Sequence, residues 1–477
     1  MPELDRRRRL LVLVICCSSL FVVSMDATIV NLALPAIQTD LSASVTSLQW
    51  TIDAYTLTLA SLLMLAGSTA DRVGRKRVFR IGLVLFGLGS LLCSVAPSAG
   101  ALVAFRVVQA LGGAMLNPVA MSIIVNVFTD PRERARAIGV WGSVVGLSMA
   151  LGPVIGGALV GAVGWRSVFW VNVPVVVVAV VLATRIVPES RAPRPRRLDP
   201  VGQVLIAVLL GGATFAIIEG PAQGWTSRWV LGCAIAAVAA LVALLPWERR
   251  RREPLLDPRF FRSVPFAGAT VIAVCAFASL AGFLFVNALY LQTARGFSPL
   301  HAGLLTLPMA AMAAALPSVA GRLVGSRGAR IPLVVGGAGI LLSGVVLLGL
   351  RTDSSLWVPI TAYVLFGIGF GMINPPITNT AVSGMPAAQA GVASAVASTS
   401  RQVGTALGVA VIGSAVTASV VGPLPTGLAA ATHVGWAVQI GCGLVVLVLG
   451  VVTTSSWAAR TAELFATPDA PAPAGVR

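Results

Sequence analysis

Charged side chains make up only 11% of the 477 residues, against 57% hydrophobic ones, which excludes an ordinary soluble globular domain. Histidine is nearly missing. His301 and His433 stand at opposite ends of the second half, so no imidazole cluster is available for a metal or a hydrolytic centre. The six cysteines (Cys16, Cys17, Cys93, Cys233, Cys275 and Cys442) lie in apolar runs without the paired spacing of metal ligands. They suit small packing residues, and no disulfide framework is expected. No Gly-x4-Gly-Lys-Ser/Thr loop occurs, which argues against an ATP-driven pump. Acids are scarce as well: 17 Asp+Glu face 34 Lys+Arg, for a net charge of +17. In a soluble chain that excess would suggest nucleic acid. Here the basic residues gather at the ends of apolar runs, where membrane topology and anionic lipid heads account for them.

What is present is a series of fourteen apolar stretches, at about 10–35, 48–69, 77–96, 101–124, 136–160, 166–186, 200–219, 229–247, 264–291, 302–324, 331–350, 356–378, 394–418 and 434–458. A helix needs about 20 apolar residues to cross the hydrocarbon. Fourteen crossings therefore use roughly 280 residues and leave short loops, too small for a folded extramembrane domain. The joints alternate between arginine-rich and arginine-poor: 28 of the 34 Lys+Arg fall in one set of joints and termini, and the joint at 381–393 carries no charge. Basic loops stay cytoplasmic, so both termini are expected inside a bacterial cytoplasmic membrane. The Arg6–Arg9 run precedes an apolar stretch that continues past Leu32 without a small-residue cleavage site, so it opens a first membrane helix rather than a signal peptide.

The longest basic joints, near 185–199 and 248–263, bracket the seventh and eighth spans. This predicts an all-α integral membrane protein arranged as six helices, two inserted helices, then six more. The expected units are an N-terminal bundle at 1–186, an insert at 187–263, a C-terminal bundle at 264–460 and a disordered cytoplasmic tail at 461–477. A weak internal repeat supports the division. Gly67-Ser-Thr-Ala-Asp71-Arg72-Val-Gly74-Arg75-Lys76-Arg77 follows the second span of the first half, and Gly321-Arg322-Leu-Val-Gly325-Ser-Arg327-Gly328-Ala-Arg330 follows the second span of the other. Repeated halves around a central site are a transporter design.

Three acids fall within or at the edge of apolar spans: Asp26, Asp53 and Glu219. An ionised carboxylate at a helix centre costs about 2.5–3.5 kcal/mol on insertion scales, and intramembrane acids are usually functional. Asp26, well inside the first span, is the candidate proton carrier; a structural carboxylate satisfied by Thr28, Asn31 or a neighbouring helix is the alternative. Asp53 follows Trp50 at the other end of its span, either as a second proton or cation site or as a wetted interfacial group. Glu219 suits the headgroup layer. Arg106 stays charged and needs a carboxylate, carbonyls or water; movement between it and Asp26 would switch protonation. Arg401, at the start of the thirteenth span, is expected to snorkel to the cytoplasmic face. In the fifth span Gly152-Pro153-Val-Ile-Gly156-Gly157 combines close-packing glycines with a residue that removes a helix hydrogen bond. It suits either plain packing or a helix sealing one end of a pathway.

These segments resemble the major facilitator superfamily, and specifically its fourteen-helix drug/proton antiporter branch, over almost the whole chain. Met25-Asp26-Ala27-Thr28-Ile29-Val30-Asn31-Leu32-Ala33-Leu34-Pro35 looks like that branch's first-helix signature. Gly67 to Arg77 resembles the superfamily's loop motif, with Thr69 where Leu is usual. Arg106 and Gln109 fit the fourth-helix motif, with Ala110 in place of glycine. Gly152 to Gly157 resembles the antiporter motif. Trp165 to Pro174, Tyr290-Leu291-Gln292 with Gly296 to Gly303, and Ser400-Arg401-Gln402-Val-Gly404 are similar to further branch segments.

The resemblance implies that Asp26 carries the proton, with Arg106 as electrostatic partner and Asp53 as a further coupling residue. Gly67, Asp71, Arg72, Gly74 and Arg75 become a cytoplasmic latch, and Gly152, Pro153, Gly156 and Gly157 a gating element. Substrate would sit between the halves near the midplane, with Asn31, Trp50, Tyr55, Gln109, Asn117, Asn287, Tyr290, Gln292 and Asn374 as candidate lining. The implied activity is proton-driven export of lipophilic or amphipathic drugs, with no cofactor, no metal and no enzymatic step, by a monomer in the bilayer. A dedicated exporter of one metabolite or antibiotic is the nearest rival, and a non-transporting receptor or scaffold a more distant one. One proton moving inward across 100 mV yields about 2.3 kcal/mol. At 1.4 kcal/mol per tenfold, that sustains a roughly 45-fold gradient of a neutral solute.

Overall fold

Hydrocarbon offers no partner for a peptide group, so a chain this apolar must satisfy its backbone internally. A computed structural model describes residues 5–191, 199–251, 258–382 and 390–466, and all the regular structure among them is helical. The first bundle contains α1 (Arg6–Asp40), α2 (Val45–Val73), α3 (Arg75–Ser94), α4 (Ala99–Val127), α5 (Pro131–Ala162), and a sixth element broken into α6 (Ser167–Trp170) and α7 (Asn172–Ile186). Two further helices follow, α8 (Pro200–Gln223) and α9 (Arg228–Arg250). The second bundle holds α10 (Val264–Leu289), extended by a π-helical turn at Tyr290–Ala294, then α11 (Pro299–Leu305) and α12 (Leu307–Arg327). It continues with α13 (Arg330–Leu347), α14 (Trp357–Val382), α15 (Ala390–Ala418) and α16 (Leu424–Val452), and a final α17 spans Ser456–Ala466.

Twelve helical segments among the described residues are long and apolar enough to cross a membrane. Of the other two long helices, α5 contributes an apolar stretch at Leu151–Ala162 and α15 runs for 29 residues. Turn chemistry marks the starts. Ser44, Ser98, Asp130, Asp199 and Ser298 each accept a backbone N–H from the first turn of their helix, and Pro131, Pro200 and Pro299 stand in first turns that need no donor. Helices that each cross a bilayer alternate in direction, which gathers the arginine-rich joints at one end and the arginine-poor ones at the other.

Residues expected in the tail from 461 are helical as far as Ala466, because Thr461 Oγ1 accepts the Val264 N–H (3.0 Å) and ties α17 to the start of α10. Residues 467–477 lie outside the described residues, as do 192–198, 252–257 and 383–389 in the basic linkers and the uncharged joint.

The two bundles meet at the arginine-poor end. Gln49 on α2 donates to Val409 O (3.1 Å) and Ser414 Oγ (3.2 Å) on α15, and Gln292 donates to Leu32 O (3.0 Å) on α1. A Cβ on Gly157 would lie 2.5 Å from Pro299 O, so the last turns of α5 rest against α11. The same helix passes close to α1, where a Cβ on Gly152 would strike Thr28 and one on Gly156 would lie 2.6 Å from Ile29 Cγ1. Pro153 lies inside the helix, and its carbonyl oxygen faces Gly303 of α11. Small residues thus let one helix of the first bundle approach both its own first helix and the opposite bundle.

Candidate functional site: a buried ion pair in the first bundle

Near the middle of α1 the apolar run admits one carboxylate, Asp26, which is fully buried. It faces the interior of its own bundle. Arg106, fully buried on α4, reaches it with Nη1 at 2.5 Å from Oδ2. Gln109 lies one turn further along α4 on the same face, and its Nε2 donates to Asp26 Oδ1 (2.8 Å) and to Ser90 Oγ on α3 (2.8 Å). Its Oε1 accepts from Arg106 Nη1 (2.6 Å). Asn172, in the first turn of α7, adds Nδ2 to Asp26 Oδ1 at 3.0 Å and to Ser90 Oγ at 3.4 Å. Arg106 Nε spends its proton on Thr51 O of α2 (3.0 Å), and its guanidinium lies 4.1 Å above the Tyr55 ring. Phe169 of α6 covers another side, 5.7 Å away.

Six helices, α1 to α4 with α6 and α7, therefore converge on one charge pair. Burying it is expensive, and removing one partner alone leaves an uncompensated charge worth about 3–5 kcal/mol. The network answers that cost by giving Asp26 neutral amide donors beside the guanidinium. Asp53, also fully buried, lies one turn below Gln49 on the face of α2 that meets α15; Thr56 Oγ1 is 3.5 Å from its Oδ1, and Oδ2 has no partner. The Tyr55 hydroxyl is likewise unpartnered.

At the arginine-rich end, Asp71 accepts Arg75 Nε (3.0 Å) and Nη2 (2.8 Å). Gly74, at φ 128°, joins α2 to α3 in a conformation that side chains rarely adopt. The joint docks on the end of α7's chain: Arg75 N donates to Ser190 O (2.9 Å) and Lys76 N to Glu189 Oε1 (3.1 Å). Arg72 is exposed, and Gly67 packs at ordinary distance from Pro118. These named bonds keep the loop against its own bundle.

The remaining candidates scatter. Trp50 turns toward α8, where its indole donates to Glu219 Oε1 (2.8 Å) and lies tilted against Phe215, centroids 6.0 Å apart. Asn31 bonds to Ala27 O (3.2 Å) in its own helix, while Asn117 and Asn374 are partly exposed. In the second bundle Asn287 accepts from the Tyr363 hydroxyl, and the Tyr290 hydroxyl donates to Arg351 O (2.6 Å). Gln292 serves the contact between bundles. Arg401, expected at the cytoplasmic face, lies eleven residues into α15 and donates from Nη2 to Thr378 Oγ1 (2.6 Å), four residues before the end of α14, beside the Phe277 ring of α10. Ser90 and Asn172 had not been singled out as site residues. Asn172 was visible as an amide inside the segment Trp165 to Pro174; Ser90 left no signal, since a lone serine in an apolar run is ordinary.

The chain matches the profile of the Major Facilitator Superfamily over residues 16–409. It is 37% identical over 414 residues to the multidrug resistance protein Stp of Mycobacterium tuberculosis, covering 86% of this chain and 76% of that one. It is 39% identical over 395 residues to the tetracenomycin C resistance and export protein of Streptomyces glaucescens, covering 82% and 73%. Over 457 residues it is 35% identical to the puromycin resistance protein pur8 of Streptomyces alboniger, covering 93% and 90%. Among solved structures, a bacterial homologue of the human lysosomal transporter Spinster, in an inward-facing and unoccupied conformation, superimposes with a TM-score of 0.69 at 19% identity, covering 98% of this chain and 100% of that one.

Proposed function

Because the chain belongs to the Major Facilitator Superfamily, we propose that it is a proton-coupled antiporter of the fourteen-helix drug/proton branch, a transporter rather than an enzyme. It exports lipophilic or amphipathic drugs across the bacterial cytoplasmic membrane by alternating access. The names of its relatives, which include multidrug resistance and antibiotic resistance or export proteins, support drug efflux. The length and apolar content of α5 and α15, added to the twelve other segments, support fourteen crossings in a 6 + 2 + 6 order. The bundles at 1–186 and 264–460 are the two moving bodies, with 187–263 as the insert. Both lie in one chain, which favours a working monomer.

The positive-inside bias puts the arginine-rich end, with both termini, in the cytoplasm. In that orientation the contacts of Gln49, Gln292 and Gly157 seal the outer end, and the pathway opens inward. The latch residues Asp71 and Arg75, turned to their own bundle, suit the same state.

The observation that carries the coupling is the buried cluster at Asp26. Its carboxylate holds N–H donors from Arg106, Gln109 and Asn172. A proton arriving at Asp26 removes the charge that these donors share, above all the one facing Arg106, so protonation and helix position are tied. Pulling α4 or α7 away frees the carboxylate to accept a proton; bringing them back expels it. Asp53, buried in the seam between bundles with one oxygen unpartnered, is suited to the same cycle as a second site.

The test is export in everted vesicles under an imposed pH gradient, comparing the parent with Asp26→Asn. Flux with the gradient in the parent and not in the variant is expected; no gradient-dependent flux in the parent would sink the proposal. Some relatives carry the name of a single compound, which keeps a dedicated exporter as the second reading. Growth inhibition across unrelated lipophilic compounds separates the two.

A further inference from the structure

Arg401 is a fixed positive charge without an acidic partner among the described residues. Between residues 264 and 460 the only acid is Asp353. It stands before α14 at the arginine-poor end, whereas Thr378, the partner of Arg401, is 21 residues beyond Trp357, about 30 Å along the helix. In the first bundle Asp26 is committed to Arg106, the buried Asp53 of α2 has Thr56 as its described side-chain partner, and Arg401 forms no ion pair among the described residues. Its Nη2 donates to a neutral hydroxyl, and its buried Nε has no partner. The side chain keeps some exposure where α10, α14 and α15 meet. Two of these helices, α10 and α15, also contact the first bundle. A Cβ on Gly404 would lie 2.5 Å from Val274 O, so α15 is pressed against α10 just beyond the arginine.

An intramembrane arginine is retained where something neutralises it. Guanidinium is built to take a planar anion such as carboxylate through paired N–H donors. Beneath it, 5.9 Å away, lies the ring of Phe277, itself edge-on to Phe370 at 5.1 Å. Charge and aromatic surface thus stand side by side. Asn374, one turn before Thr378, adds a partly exposed amide on the same helix.

We propose that Arg401 with Phe277 and Thr378 forms an anion subsite for transported molecules, taking the carboxylate of an amphipathic aromatic acid on the guanidinium and its apolar body on Phe277. The idea rests on the export reading above and narrows its substrate class. Exporting such an anion against one incoming proton moves two charges with the membrane field, whereas a neutral analogue moves one.

The test uses purified full-length protein in phosphatidylcholine vesicles with an imposed pH gradient. The probes are 1-pyrenebutyrate and its neutral methyl ester. In the parent, KM for the acid is expected below that for the ester. In R401Q the acid-to-ester ratio of kcat/KM falls at least tenfold, and R401K restores part of it because the charge returns. Adding 30% phosphatidylglycerol leaves the acid's KM unchanged. An unchanged ratio in R401Q, with parent flux intact, overturns the subsite and leaves export standing. So does equal loss for both probes, which marks a packing role. Strong competition by phosphatidylglycerol assigns the arginine to lipid headgroups and also overturns it. Absence of gradient-driven flux for both probes in the parent overturns the export reading and the subsite together. Should R401Q fail to fold, R401K alone carries the test, because a point charge cannot reproduce a paired contact and its ratio is expected to fall several-fold.

Discussion

Replacing Asp26 with Asn separates the two jobs of the buried pair. The side chain keeps its size, so Gln109 and Asn172 still meet a polar group, but Arg106 loses its only described counter-ion. Its other contacts, Gln109 Oε1 at 2.6 Å, the carbonyl of Thr51 at 3.0 Å and the rings of Tyr55 and Phe169, are neutral. An uncompensated buried charge costs about 3–5 kcal/mol, a large part of a total stability of about 5–15 kcal/mol. Asp26→Asn should therefore lower the unfolding midpoint in detergent markedly, and adding Arg106→Gln should recover much of it. Coupling behaves differently. One pH unit is worth about 1.4 kcal/mol per proton, so one-for-one exchange in electrically clamped vesicles supports up to about a tenfold ratio of a neutral lipophilic fluorophore. In Asp26→Asn, and in the double variant whatever its stability, that ratio should collapse to about one. A variant that folds and still builds the tenfold ratio refutes the assignment of the proton to Asp26.

Three further perturbations reach other parts of the molecule. Asn172→Ala removes a hydrogen bond to a charged group, worth about 1.5–3 kcal/mol; it should slow pH-driven export roughly tenfold or more and displace its pH profile, whereas an unmoved profile would leave Asn172 outside the coupling network. Gly157→Val puts a side chain where Pro299 O already lies; it should weaken the seal between α5 and α11, read as faster thiol labelling of a cysteine introduced at Leu300 in a background without the native cysteines. Trp50→Phe keeps an aromatic ring beside Phe215 but loses the bond to Glu219; α8 should loosen from α2, seen as faster proteolysis of the insert with the bundles intact.

Much of the architecture was legible because hydropathy and charge are one-dimensional signals. A run long enough to span hydrocarbon declares itself, and arginines at alternate joints carry the expected orientation. Asp26 and Arg106 stood out for the same reason, as ionised groups in surroundings that penalise them. Their meeting at 2.5 Å lay between helices 80 residues apart in sequence, and the proposed switch required only that they be near. Ser90 and Asn172 escaped notice because neutral polar side chains carry little penalty in an apolar run and so little signal. The partner of Arg401 was not legible, because the hydroxyl it meets on α14 depends on what packs around α15.

Composition alone determined that this protein lives in a bilayer as a helical bundle, since its scarce charges and long apolar runs leave no other place for its backbone to be satisfied. Motif spacing added the family. Which polar groups face one another, which end is sealed, and which arginine is left without an acid were decided only by tertiary packing. Those outcomes depend on how helices rotate and cross, and small residues such as Gly152, Gly156 and Gly157 set that through contacts with distant segments rather than through anything local.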